Sequence, residues 1–180
     1  MAAARQPRGY NPIRDTISSL AGRGATDRWV MTAALLAVGG CYVVTGAGLR
    51  AARRAGRIAL MSGGLATTMV AAFPQPVRGN GVSHTIAATI AFTALAAWPV
   101  LAVRRRSGVP ALSLAAAASA TAVMVGFLAW FTLELHGSHR GMAERGAALA
   151  EVVWPLVVAL GARHAQLERR PAPIRAPRAA

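Results

Sequence analysis

The chain is 180 residues long, 54% apolar and only 14% charged, with a formal net charge of +14. Soluble domains carry about a quarter charged residues, so an ordinary water-soluble globule is excluded and apolar runs that cross a bilayer are expected. Every basic residue is arginine, set between apolar runs or in the tails without aromatic interleaving, which excludes the stacking groove of a single-strand binder and leaves no nucleic-acid partner.

Residues 1–28 are polar, and the opening MAAARQPRGYNPIRD has no apolar core of a secretory signal. Within them Asn11 suits an N-cap, Pro12 a first helical position, and Gly22 and Gly24 a stop. Ile13, Ile17, Leu20 and Ala21 fall on one stripe, which predicts a short amphipathic helix lying on the membrane surface or against the bundle. Five spans follow, at about 29–49, 57–73, 84–103, 109–133 and 146–163. At 1.5 Å per residue, about 20 residues cover the ~30 Å hydrocarbon core. The second is short and glycine-rich, so Arg57 is expected to snorkel and extend it. Cys41 lies inside the first span and reads as a small packing residue. The tail 164–180, rich in Arg and Pro, reads as disordered and cytoplasmic.

Arginine placement sets direction. Arg50, Arg53, Arg54 and Arg57, then Arg104 to Arg106, then Arg163 and the tail arginines outnumber those on the other side, among them Arg78, Arg140 and Arg145. The positive-inside rule then gives a multi-pass plasma-membrane protein with its C-terminus in the cytoplasm and its N-terminal segment outside. Trp29 and Trp130 fall near the outer interface and Trp98 nearer the inner one, as in an aromatic belt. Small residues at spacing four should mediate helix packing: Ala33, Ala37, Cys41 and Thr45; Gly63, Thr67 and Ala71; Ala118, Ala122 and Gly126. Pro99 and Pro155 are expected kink points. The fold class is therefore all-α, a polytopic membrane bundle of about five helices (29–163) plus a short N-terminal interfacial helix.

GYNPIRDTISSLA, RWVMTAALLAVGGCYVVTGAGLR, GRIAL, VAAFPQP, SHTIAATIAF and GMAERGAALAEVVWPLVV together resemble the bacterial membrane protein family known as domain of unknown function 998 (DUF998), over roughly residues 5–163. Tyr10, Asp15, Ser18 and the AAFPQP/His84 region carry the resemblance most specifically. It implies a helical membrane architecture and no reaction. It also implies one more span ahead of the tyrosine–serine segment, of which MAAARQP would be the tail end, giving six spans with residues 1–28 as an outer loop.

In this topology Asp15, Ser18, Ser19, Asn80, His84, Glu134, His136, His139, Glu144 and Glu151 gather toward the outer side. Glu144 and Glu151, seven apart, share a helix face; with His84 they are candidates for a proton-linked or ligand-binding group, with His84 and Arg145 as possible partners. The plainer reading is a polar contact locking helices together. His84, His136 and His139 have the residue types of a metal site, with Asp15 or Glu134 to complete it, but the H-x-x-H pair lies in a loop and reads more simply as interfacial polar residues. Asp15, Ser18 and His84 have the types of a hydrolase triad, yet no nucleophile elbow or glycine-rich oxyanion loop accompanies them. No cofactor is implied. The partners implied are the lipid bilayer and a second copy or another membrane protein. By elimination the chain reads as a non-enzymatic protein of envelope organisation, sensing or partner binding; the alternatives are a small proton-linked transporter, or a membrane-embedded hydrolase acting on a lipid or envelope substrate.

Overall fold

The computed structural model describes residue 6 and residues 10–77 and 81–168. Arg78, Asn80 and residues 169–180 of the tail lie outside the described residues. Among the described residues five α-helices run α1 Arg28–Gly48, α2 Arg54–Ala72, α3 Val82–Ala102, α4 Leu114–Leu133 and α5 Arg140–Glu168, with short 3-10 turns at Ser18–Ala21 and Pro110–Leu112. Helices α1, α3, α4 and α5 are long and apolar enough to cross a membrane. The fold is all-helical, as expected for a membrane bundle, and no strand is present among the described residues.

Helix α2 is the inner member of the α1–α2–α3 layer, and glycine makes that possible. Gly39 of α1 faces Gly64 of α2 so closely that a Cβ on Gly39 would fall 2.7 Å from the Gly64 carbonyl oxygen. On the opposite side of α2, a Cβ on Gly63 would meet Leu95 at 2.7 Å and one on Gly56 would meet the Cβ of Ala102 at 2.5 Å. In lipid no hydrophobic drive holds helices together, so van der Waals contact at short range must do it. The expected stripe Gly63, Thr67, Ala71 is buried. The other two expected stripes are not. In α1, Ala33, Ala37 and Cys41 are exposed, and Gly39, Tyr42 and Gly46 are buried instead. In α4, Ala118, Ala122 and Gly126 are exposed, and Ala117 and Met124 are buried. Where every face is small and apolar, composition does not choose the packing face; the neighbouring helix does.

Two further corrections concern the arginine-rich end. Arg57 does not reach outward. Its Nε donates to the Gly46 carbonyl at 2.8 Å and its Nη2 to that of Ala47 at 2.6 Å, capping α1 across the hairpin. Trp98 is no interfacial residue: it is completely buried with Leu60, Tyr42, Leu112 and Val158 in the main core. Pro99 and Pro155 both sit inside helices and are buried. Helix α5 continues through His164 to Glu168, five residues past the end expected for the span.

Helix α4 packs on α3 and α5, and α5 packs on α3 but hardly touches α1. The α1–α5 seam is therefore the open side of the bundle. Its three levels are a polar cap, a buried carboxyl and an arginine cleft.

Candidate functional site

The buried stripe of α5 is Gly141, Glu144, Ala147, Glu151, Pro155, Val158 and Ala162. Its spacing of three and four places Glu144 and Glu151 on one face, two turns or about 10 Å apart. Glu144 is 3% and Glu151 2% exposed.

Glu144 holds the N-terminal segment. One carboxylate oxygen accepts the Ile17 backbone N–H in a short hydrogen bond, and the other accepts the Ser18 hydroxyl at 2.9 Å. Arg145, the next residue, donates to the carbonyls of Pro12 and Asp15 and to the Tyr10 hydroxyl. Burial raises the Tyr10 phenol pKa, and the adjacent guanidinium opposes that rise. Met142 N–H donates to Ile13 O at 2.9 Å. Gly141 permits the approach: a Cβ there would run into the Asp15 carbonyl oxygen and lie 2.7 Å from that of Pro12. On the far side Arg23 N–H donates to Gln75 O at 3.0 Å, tying the segment to the connection between α2 and α3.

These bonds explain why the expected helix over Pro12–Ala21 does not form as a continuous helix. Pro12 O, Ile13 O and Asp15 O are the acceptors an α-helix would offer to residues 16, 17 and 19. Here the first and third are taken by Arg145 and the second by Met142, while the Ile17 N–H goes to Glu144. What remains is one turn around Asn11–Asp15, then the 3-10 turn Ser18–Ala21 that buries Leu20 and Ala21.

The three residues with hydrolase-like chemistry are committed elsewhere. The Asp15 carboxylate accepts the Asn11 N–H at 2.7 Å and lies 3.6 Å from Arg14. Ser18 is on Glu144. His84, buried at the start of α3, places Nδ1 2.8 Å from the Phe73 carbonyl oxygen, closing the connection after α2. His84 thus makes its hydrogen bond to neither carboxylate of α5, and of the two expected partners Arg145 is the one beside Glu144. His136 and His139 are exposed in the α4–α5 connection, where Glu134 accepts the His139 N–H at 3.0 Å and so caps the approach to α5. Among the described residues no group of three His, Cys, Asp or Glu is placed to hold a metal ion.

Below the cap Glu151 differs in kind. Its Oε1 is buried without a hydrogen-bond partner among the described residues, as are the indole Nε1 atoms of Trp98 on α3 and Trp154 one turn along α5. Tyr42 of α1 is within electrostatic reach of it. Such orphaned groups in the interior of a bundle are uncommon and require an occupant, a partner or a role. The indoles and Tyr42 escape a residue-by-residue reading because they look like interface or core aromatics; only the fold gathers them into one core cluster. Gly141 had a legible signal, a glycine in the first turn of a helix directly before a Glu–Arg pair.

No curated protein and no solved structure matches the chain. The family described as Protein of unknown function (DUF998) matches residues 1–161, nearly the whole chain, taking in α1 to α4 and α5 as far as Gly161, and the chain belongs to that family.

Proposed function

We propose that the chain is a non-enzymatic, multi-pass protein of the bacterial plasma membrane that senses or binds a partner at the capped end of its bundle. The carrying observation is the docked segment Tyr10–Ala21, whose serine, tyrosine and carbonyl groups are spent on Glu144 and Arg145 rather than arranged around a substrate. A segment held by polar bonds to α5 and by burial of only Leu20 and Ala21 among its apolar side chains releases as a unit more readily than a core helix does. A partner that prefers either state shifts that equilibrium. The arginine excess at the opposite end supports a cytoplasmic C-terminus and an extracytoplasmic cap. The test pairs Glu144→Gln with Arg145→Gln. The side chains of Arg14 and Arg23 are exposed but their backbone is held in the docked turns, so we expect both variants to speed trypsin cleavage after Arg14 and Arg23 in intact spheroplasts and to abolish the deletion-complementing phenotype while the protein remains folded in detergent. A released cap with full complementation would overturn the proposal.

A second reading, proton-linked transport, is favoured by Glu151 alone. A carboxyl at mid-helix costs about 2.5–3.5 kcal/mol to insert, and no hydrogen bond to Oε1 offsets that cost. Glu151→Gln reconstituted in proteoliposomes should abolish any pH-gradient-driven flux seen with the parent. Equal flux in both removes this reading.

A further inference from the structure

We infer that the arginine-rich end of the α1–α5 seam is a binding site for the phosphate of an anionic membrane lipid. Two abutting clefts, of about 290 Å³ and about 230 Å³, share Arg50, Ala51, Ala162 and Gln166. The larger is walled by Arg50, Arg104, Arg106 and Ser107 from the connections after α1 and α3, and the smaller by Arg50 and Arg163. Arg104 and Arg106 line the first cleft, Arg163 the second and Arg50 both, so four arginines from three separate segments border adjoining concavities, where like charges repel one another unless an anion is present. Among the described residues no carboxylate is paired with them. Glu168, at this end of α5, is engaged with His164 at 3.2 Å, and Asp15, Asp27, Glu134 and Glu144 lie at the opposite, capped end of the bundle. Arg104 Nη1 donates to Arg50 O at 3.0 Å, fixing one wall, while Arg50, Arg106 and Arg163 are exposed heads. Planar guanidinium forks match phosphate oxygens in pairs.

The lipid source follows from the rest of the cleft. It continues up the seam between Thr45 and Gly48 of α1 and Ala159 and Ala162 of α5, side chains too small to close the gap. Val44 and Leu160, adjacent to these positions, are exposed apolar side chains on the same two helices. A phosphate at the arginines therefore has Leu49, Ala159 and Ala162 lining the same cleft within about one helical turn along α1 and α5, which suits the start of an acyl chain and gives nothing to a free phosphate. Basic pockets between membrane helices on the positively charged side take lipid headgroups in this way.

The test is native mass spectrometry of the full chain released from neutral detergent. The probes are dioleoyl phosphatidylglycerol, dioleoyl phosphatidylcholine and inorganic phosphate. We expect one phosphatidylglycerol retained per chain, at least about tenfold tighter than phosphatidylcholine, and not displaced by millimolar phosphate. Arg106→Gln with Arg163→Gln should weaken retention about tenfold, whereas Arg54→Gln with Arg105→Gln, which removes the same charge at the same end but outside the cleft, should change it less than about twofold. All four side chains are exposed, so both pairs retain the fold. Equal losses in the two pairs would reduce the effect to general surface charge and overturn the site. Equal retention of phosphatidylcholine, or retention of phosphate but of neither lipid, would overturn the lipid.

Discussion

Gly141→Ala isolates the docking of the cap from the stability of the bundle. The added Cβ would lie 2.7 Å from the Pro12 carbonyl oxygen and against that of Asp15, both backbone atoms that yield only if the whole turn lifts. Lifting it breaks the Met142–Ile13 hydrogen bond and the two bonds from Arg145 to Pro12 and Asp15. A neutral hydrogen bond contributes about 0.5–1.5 kcal/mol and a charge-assisted one about 1.5–3 kcal/mol, so together the three hold the cap by roughly 3.5–7.5 kcal/mol before any water replaces them. Helix α5 itself would gain, since alanine exceeds glycine by up to about 1 kcal/mol in helix propensity. The variant should therefore keep its thermal midpoint while the docked-to-open ratio falls by more than about a hundredfold. Hydrogen exchange in detergent reads this directly: the Ile17 and Met142 amides should lose protection and the amides of α2 and α3 should not. Unchanged protection at Ile17 in Gly141→Ala would refute the argument, because the cap would then not depend on close approach at this glycine.

Further expectations follow from the packing. Gly39→Ala and Gly64→Ala should each cost about 1–3 kcal/mol by overpacking the α1–α2 contact, read as lowered thermal midpoints in detergent, whereas Gly126→Ala, with nothing within 4 Å of the new methyl, should leave the midpoint unchanged or raised. Arg57→Ala should cost about 1.5–3 kcal/mol through the lost charge-assisted bonds to the end of α1, and Arg57→Lys should recover part of it; full stability in the alanine variant would show that water caps Gly46 and Ala47 equally well. Glu144→Ala leaves the Ile17 N–H and the Ser18 hydroxyl without their acceptor and should open the cap further than Glu144→Gln, whose amide oxygen still accepts one of them, measured as relative trypsin cleavage after Arg14.

The sequence by itself determined the helices, their approximate ends, the pairing of Glu144 with Glu151 on one face and the gathering of arginine at one end. These follow from apolar run length, helical periodicity and charge position, which are local or additive along the chain. Tertiary structure alone decided which faces meet. In α1 and α4 the apolar surface is nearly uniform, so the predicted stripes of small residues lost to faces chosen by the shape of α2 and α3. It also decided that Tyr10–Ala21 is a cap, because Glu144 and Arg145 capture the hydrogen bonds that its own helix would have used. The Asp15, Ser18 and His84 constellation shows the same limit: residue types suggest chemistry, but each polar atom has few bonds to give, and only the fold shows where they went. The buried carboxyl of Glu151 and the adjoining clefts of Arg50, Arg104, Arg106 and Arg163 belong to this second kind of knowledge, since they depend on how the first and last helices, remote in sequence, lie beside one another and on the space left there by the side chains of the described residues.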